Sequence, residues 1–262
     1  MIFNFTNALV RAPGQSVVNG LSSQSGPRPS FDVIAAEHAG YVKTLAACGL
    51  AVEVLPPQEA FPDSIFVEDP ALVFSSGVAI LLRPGAPSRR GEVKEIAGAL
   101  RQRFGRLLAL EEGFADGGDL LLTPAGLFIG LSNRTDRKGA TELTGLLQQI
   151  GIPSRIVKTP PGTLHLKSDC SLIADDQVLC TSSLAASDVF EGYRKLIVPE
   201  TERAAANALR LNDTIVIGDR FPKTRQLLQQ HGYRVTAIPT EGVGRLDAGL
   251  SCMSLRWSPL LL

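Results

Sequence analysis

The stretch EVKEIAGALRQRFGRLLALEEGFADGGDLLLTPAGLFIG, residues 92–130, decides the fold. Residues 92–104 read as a helix and residues 106–110 as a strand. Residues 119–123 and 127–130 read as a hairpin turning through Pro124-Ala125-Gly126. A doubly wound sheet alternates single strands with helices, so a helix and strand followed by a hairpin is a different unit.

The same order appears on either side of this stretch. Before it, residues 30–48 space Phe31, Ile34, Ala35, Ala39, Val42, Leu45 and Ala46 along one helical face, with Gly49 as the stop. A strand at 51–55 follows, then a hairpin from 71–74 and 78–82 around Ser75-Ser76-Gly77. After it come a helix at 137–150, a strand at 154–158 and a hairpin from 171–174 and 177–181 around Asp175-Asp176. A fourth, weaker unit has a strand at 195–199 and a hairpin from 208–212 and 214–218. The fifth has a helix at 223–230, a strand at 234–239 and a strand at 251–257 whose hairpin partner is residues 7–11. About five units at intervals of roughly 40 to 55 residues predict a closed repeat architecture sealed by pairing the last strand with the first. The competing reading is one irregular α+β domain.

Composition narrows the function. In 262 residues, 26 Lys and Arg balance 26 Asp and Glu, and hydrophobic residues make up 44%. This is a globular balance without the basic footprint of a nucleic-acid binder. The apolar runs fall short of the ~18 residues of a membrane span. The start of the chain, MIFNFTNALVRAPG, has no basic region leading into an apolar run, so secretion is not expected. No GxGxxG follows a strand and no Walker motif occurs, leaving nucleotide binding unsupported. Cys48, Cys170, Cys180 and Cys252 lie far apart without a CxxC pair, which points to a reduced, cytoplasmic protein with neither zinc nor a disulfide framework. The first three read as small buried hydrophobes. His38 and His231 read as surface or packing residues.

Polar residues gather where predicted strands end: FPDSIFVEDP (61–70), RPGAPSRRGE (83–92), ADGGD (115–119), SNRTDR (132–137), TLHLKS (163–168) and DAGLSCMS (247–254). A radial array brings such ends together at one pocket. It would hold Asp63, Glu68, Asp69, Asp116, Asp119 and Asp247 with Arg89, Arg90, Arg134 and His165. Buried carboxylates need partners, so these acids either pair with the arginines or meet a ligand of both charges, guanidinium at one end and carboxylate at the other. Cys252 with a histidine elsewhere in the chain is a nucleophile pattern.

These segments, in this order and spacing, resemble the dimethylarginine dimethylaminohydrolase family of the arginine deiminase and amidinotransferase superfamily, over residues 9–257. The resemblance implies an α/β fold, a five-bladed propeller (pentein), as one catalytic domain of residues 1–262. It leaves no room for the helical domain of larger arginine deiminases. Matched by motif, Cys252 is the nucleophile and His165 the general acid and base. Asp69 and Asp116 hold the guanidinium, Asp63 contacts the amino-acid end, and Arg89 with Arg134 binds its carboxylate. Glu68 and Asp247 support the site, and Leu21, within residues 20–29, looks like part of a lid. Asp116 stands where bacterial relatives often have glutamate, and Asp247-Ala248-Gly249 where they have a glycine pair.

The implied reaction is hydrolysis of methylated arginines to citrulline and an amine through a covalent thiouronium on Cys252, with no metal or organic cofactor. A guanidinium stays cationic at neutral pH, which explains the acids. The implied partner is a small methylarginine substrate, with no nucleic acid or membrane, and a homodimer stays open. Three alternatives stand beside it. An arginine deiminase or citrulline-cleaving relative would use the same residues, an amidinotransferase would need an amine acceptor, and a silent propeller would act as a binding module.

Overall fold

The computed structural model describes residues 2–259, so residue 1 and residues 260–262 of the expected unit lie outside the described residues. Among the described residues fifteen strands form five three-stranded sheets. Each sheet is an antiparallel hairpin whose second strand also pairs, in parallel, with the strand reached through the intervening segment. Thus Ala71–Phe74 pairs with Val78–Leu81, which pairs with Arg106–Ala109 across the helix Glu92–Arg101. The repeat is therefore hairpin, helix, strand: the strand that follows each helix joins the hairpin before it. A parallel partner requires a crossover, and the helix supplies it.

Alternation along the central strands explains why these sheets stack. On Val78–Leu81 and its extension, Ala79 and Leu81 pack toward Leu9 and Trp257. Ile80 and Leu82 pack the other way, toward Leu127 and Ile129. Phe128 then turns to Cys170 and Val178, Leu179 to Ile215 and Ile217, and Val216 to Ala8 and Val10. Five clusters join five sheets pairwise and return to the first, so the ring closes. Each central strand is buried on both faces, which is why it reads as a continuous apolar run.

Closure uses both ends of the chain, as expected: Asn7–Arg11 pairs antiparallel with Leu255–Trp257 and parallel with Ala51–Leu55. The expected strand at 251–257 is shorter. Residues Leu250–Met253 form a 3₁₀ turn instead, because this segment turns Cys252 toward a cavity. The fourth sheet crosses over through only the short helix Ser182–Ala185, which accounts for its weak helical signal. Among the described residues no helix is long and apolar enough to cross a membrane.

Candidate active site

Leu21, Asp63, Asp69, Arg89, Arg134, His165, Asp247 and Cys252 line one cavity of about 240 Å³, together with Phe66 and Leu164. They come from loops between sheets, so the ring brings distant segments together. Glu68 and Asp116 are placed behind this wall. Neighbouring residues face opposite ways: Asp69 and Cys252 line this cavity, whereas Glu68 and Ser251 line a second one along the inner strands.

His165 is buried and its Nε2 lies 3.0 Å from Asp116 Oδ2. Its ring packs against backbone. A Cβ on Gly118 would fall 2.6 Å from His165 Nδ1, so the second glycine of the ADGGD turn is what admits the imidazole, while the first, Gly117, lies against the Glu68 carbonyl. Burial opposes its proton, but Asp69, Asp116 and Asp119 outweigh burial and raise its pKa to about 9. His165 is therefore an imidazolium at neutral pH.

Asp116 is fully buried. It accepts from the Gly85 amide at 2.8 Å and stands 3.7 Å from Arg134 Nη1. Its carboxylate faces His165 from behind the pocket wall, so the expectation that it holds the guanidinium is corrected: off the cavity lining, it is placed to orient the imidazole. Asp119 is buried beneath, accepting from Ser132, Thr135 and the Leu166 amide. Asp69 accepts from the Gly118 amide at 2.9 Å and pairs with Arg89. Burial opposes its charge, yet Arg89 and His165 hold its pKa down at about 2.

Arg89 is buried and heavily committed. Besides Asp69 it donates to Glu92 and to the carbonyls of Phe66 and Asp63. Arg90 turns outward and stacks on Phe114 with its guanidinium carbon 4.4 Å from the ring centre, so the expectation that it faces the pocket is corrected. Glu68 pairs with Lys167, accepts from Ser251 Oγ at 2.9 Å, and donates its own amide to the Cys252 carbonyl. It braces the nucleophile turn from the far side.

Cys252 is half-buried, and its Sγ accepts from the Gly249 amide at 3.5 Å. Burial, then Glu68 and Asp69, push its thiol up to about 12. Cys170 and Cys180 are buried as expected, whereas Cys48 is half-buried at the helix end. His38 is buried and His231 exposed.

Residues 21–24 are tied to the loop that carries Cys252 and to Asp63. The Leu21 amide donates to Asp63 at 2.9 Å, Ser22 Oγ to the Arg245 carbonyl at 2.8 Å, and the Ser23 amide and Gln24 Nε2 to Asp247. Asp247 holds a left-handed φ of 56° to do so.

Asp69, Asp116 and His165 place one potential metal-ligand atom each within 4.8 Å of one another. The imidazole carries a proton and spends its Nε2 on Asp116, so this donor set suits an organic cation better than a metal ion. Sequence reasoning passed over Glu92. An acid in the first turn of a helix reads as a dipole cap, and only its place three residues after Arg89 hinted at a buried pair.

Comparison with known proteins identifies the family. The family model for eukaryotic N,N dimethylarginine dimethylhydrolase matches residues 31–216. The N(G),N(G)-dimethylarginine dimethylaminohydrolase of Pseudomonas aeruginosa is 34% identical over 97% of this chain and all of the relative. That of Streptomyces coelicolor is 30% identical over 95% and 96%. Among solved structures, a mutant of the Pseudomonas enzyme complexed with citrulline superposes with a TM-score of 0.93 at 33% identity, covering 97% of this chain and all of the other. A dimethylarginine dimethylaminohydrolase adduct with S-methyl-L-thiocitrulline also gives 0.93 at 33% identity, over 96% and 99%. The N-terminal domain of a cyanobacterial arginine dihydrolase, at 17% identity and 0.85, shares the fold, covering 99% of this chain and all of that domain. With the family model spanning most of the chain and near full-length relatives at 30% and 34% identity, the chain belongs to the dimethylarginine dimethylaminohydrolase family.

Proposed function

We propose that the protein hydrolyses Nω-methylated arginines to citrulline and methylamine or dimethylamine, as one domain and without a metal or organic cofactor. One observation carries this reading: Cys252, the imidazolium of His165 and the carboxylate of Asp69 line one cavity, with Arg134 on the same wall. Relatives of similar fold hold citrulline and an S-methyl-L-thiocitrulline adduct, which supports an amino acid of this kind as the ligand.

Asp69 receives the guanidinium and Arg134 the carboxylate at the other end, whereas Arg89, its nitrogens spent on Asp69, Glu92 and two carbonyls, holds Asp69 in place instead of taking the carboxylate the resemblance assigns to it. Asp63 and Leu21 close over the amino-acid end. Asp116 orients His165 and keeps it protonated. In the empty enzyme the thiol at about 12 and the imidazole at about 9 are both protonated at neutral pH. A bound cation offsets the carboxylates that hold the thiol up, so the substrate itself promotes thiolate formation, the thiol proton leaving to solvent because His165 already carries one. The thiolate attacks the guanidinium carbon, His165 gives its proton to the departing amine, and a thiouronium remains on Cys252. His165 then takes a proton from water, hydroxide adds to the same carbon, and the C–S bond breaks to release citrulline and the thiol. Among the described residues four cysteines are free, Cys170 and Cys180 even standing opposite each other on paired strands, which supports a reducing, cytoplasmic setting.

The test is to incubate the protein separately with asymmetric dimethylarginine, monomethylarginine, arginine, agmatine and citrulline, and to identify products by mass. Methylarginines should yield citrulline, and Cys252→Ser should lower the rate by at least about 10³-fold. Agmatine or arginine as the best substrate would replace this reading with a deiminase.

A further inference from the structure

We infer that Glu92, outside the cavity and silent in sequence, is a positioning residue that leaves Asp69 with the unspent negative charge needed to prefer a cation. The inference rests on the proposed function. Glu92 is 3% exposed and receives Arg89 on two sides: Nε at 3.0 and 3.2 Å from its two oxygens, and Nη2 at 2.8 Å. The Phe66 and Asp63 carbonyls take Nη2 as well, at 2.9 and 3.2 Å, so the guanidinium is locked in plane and only Nη1 reaches Asp69.

Charge counting gives the consequence. With Glu92 ionised, Glu92, Arg89 and Asp69 together carry one net negative charge; burial, opposed by Arg89, lifts the Glu92 carboxyl to about 7, so that charge is present in full above neutral pH, where binding is measured. Behind Glu92, buried Arg11 faces Glu92 first and then Glu95 in the same small space, so the wider cluster of Arg11, Arg89, Glu92, Glu95 and Asp69 still carries one net negative charge. Without Glu92, the Arg89 charge would fall wholly on Asp69, and a neutral pair would face the substrate. A guanidinium would lose its electrostatic partner, whereas the neutral urea of citrulline would not. The two ligands share their amino-acid end, so any general distortion of the pocket affects both. Their ratio isolates the charge effect.

Binding of asymmetric dimethylarginine and of citrulline is measured by calorimetry in a Cys252→Ser background, with and without Glu92→Gln, an isosteric change. Glu92→Gln should weaken dimethylarginine by on the order of tenfold relative to citrulline. The double variant Arg89→Met with Glu92→Met restores one net negative charge on Asp69. It should weaken both ligands together and return the ratio to that of the background. An unchanged ratio in Glu92→Gln, or the same loss of ratio in the double variant, overturns the role assigned to Glu92. Turnover of methylarginine by the enzyme with Cys252 intact reports separately on the proposed function.

Discussion

His165 shows how one residue is set by its neighbours. Burial alone would drive the imidazole neutral, as it does for buried His38, whose pKa falls to about 4. The difference lies in Asp69, Asp116 and Asp119, which His38 lacks and which raise His165 to about 9. A base whose pKa rises on folding stabilises the fold while both folded and unfolded states hold the proton. For His165 that contribution is complete below about 6.5 and fades as the pH climbs through 9. Replacing Asp116 by Asn removes one charge and the acceptor at 3.0 Å. The His165 pKa, read from its imidazole NMR signals, should then fall from about 9 toward or below 6.5, and the pH limit for turnover should move with it. A His165 titration that stays near 9 in Asp116→Asn would assign the shift to Asp69 and Asp119 alone.

At the scale of elements, the hairpins were the legible part of the sequence and the active-site turns were not. Central strands such as VAIL and TIVIG pack on both faces, so a short apolar run flanked by turn residues identifies them. The Leu250–Met253 turn is apolar enough to pass for a strand, and only the pocket it serves explains its curl. Among candidate residues, Cys252, His165 and Asp69 were readable by type and motif. That Asp116 stands behind the wall, or that Glu92 is buried, depends on three-dimensional placement that spacing does not encode. The segment 20–24 is a further case, because Asp247, one of its anchors, lies more than two hundred residues away. Asp247→Gly relieves the left-handed backbone but deletes the acceptor for the Ser23 amide and Gln24. Amide exchange at Ser23 and Gln24 should accelerate and KM should rise by about tenfold, the equivalent of one or two lost hydrogen bonds. Stability should change little. Unchanged exchange at the lid would show that Ser22 and Leu21 suffice to hold it.

For the whole molecule, a ring has one seam, where the last unit must meet the first. The strand pairing of Asn7–Arg11 with Leu255–Trp257 seals the first sheet, and Asn212 ties that sheet's neighbourhood to the fifth. Its Oδ1 accepts from the Phe5 amide at 2.8 Å, while Nδ2 donates to the carbonyls of Cys48 at 2.8 Å and Phe5 at 3.2 Å. Asn212 also sits in the left-handed region, with φ of 53°, where asparagine is tolerated and most residues are strained. The two contributions separate by substitution. Asn212→Gly keeps the backbone conformation accessible and loses only the side-chain bonds, about 1 kcal/mol each at net value. Asn212→Ala loses the same bonds and adds roughly 1 kcal/mol or more of backbone strain, since alanine has the Cβ that glycine lacks. Chemical denaturation should therefore rank the wild type above Asn212→Gly and that above Asn212→Ala, with the same denaturant slope throughout. If alanine proved equal to glycine, the left-handed turn would not be what fixes asparagine here. If both matched the wild type, the seam would be held by strand pairing and by the packing of Ala8 and Val10 on Val216 alone.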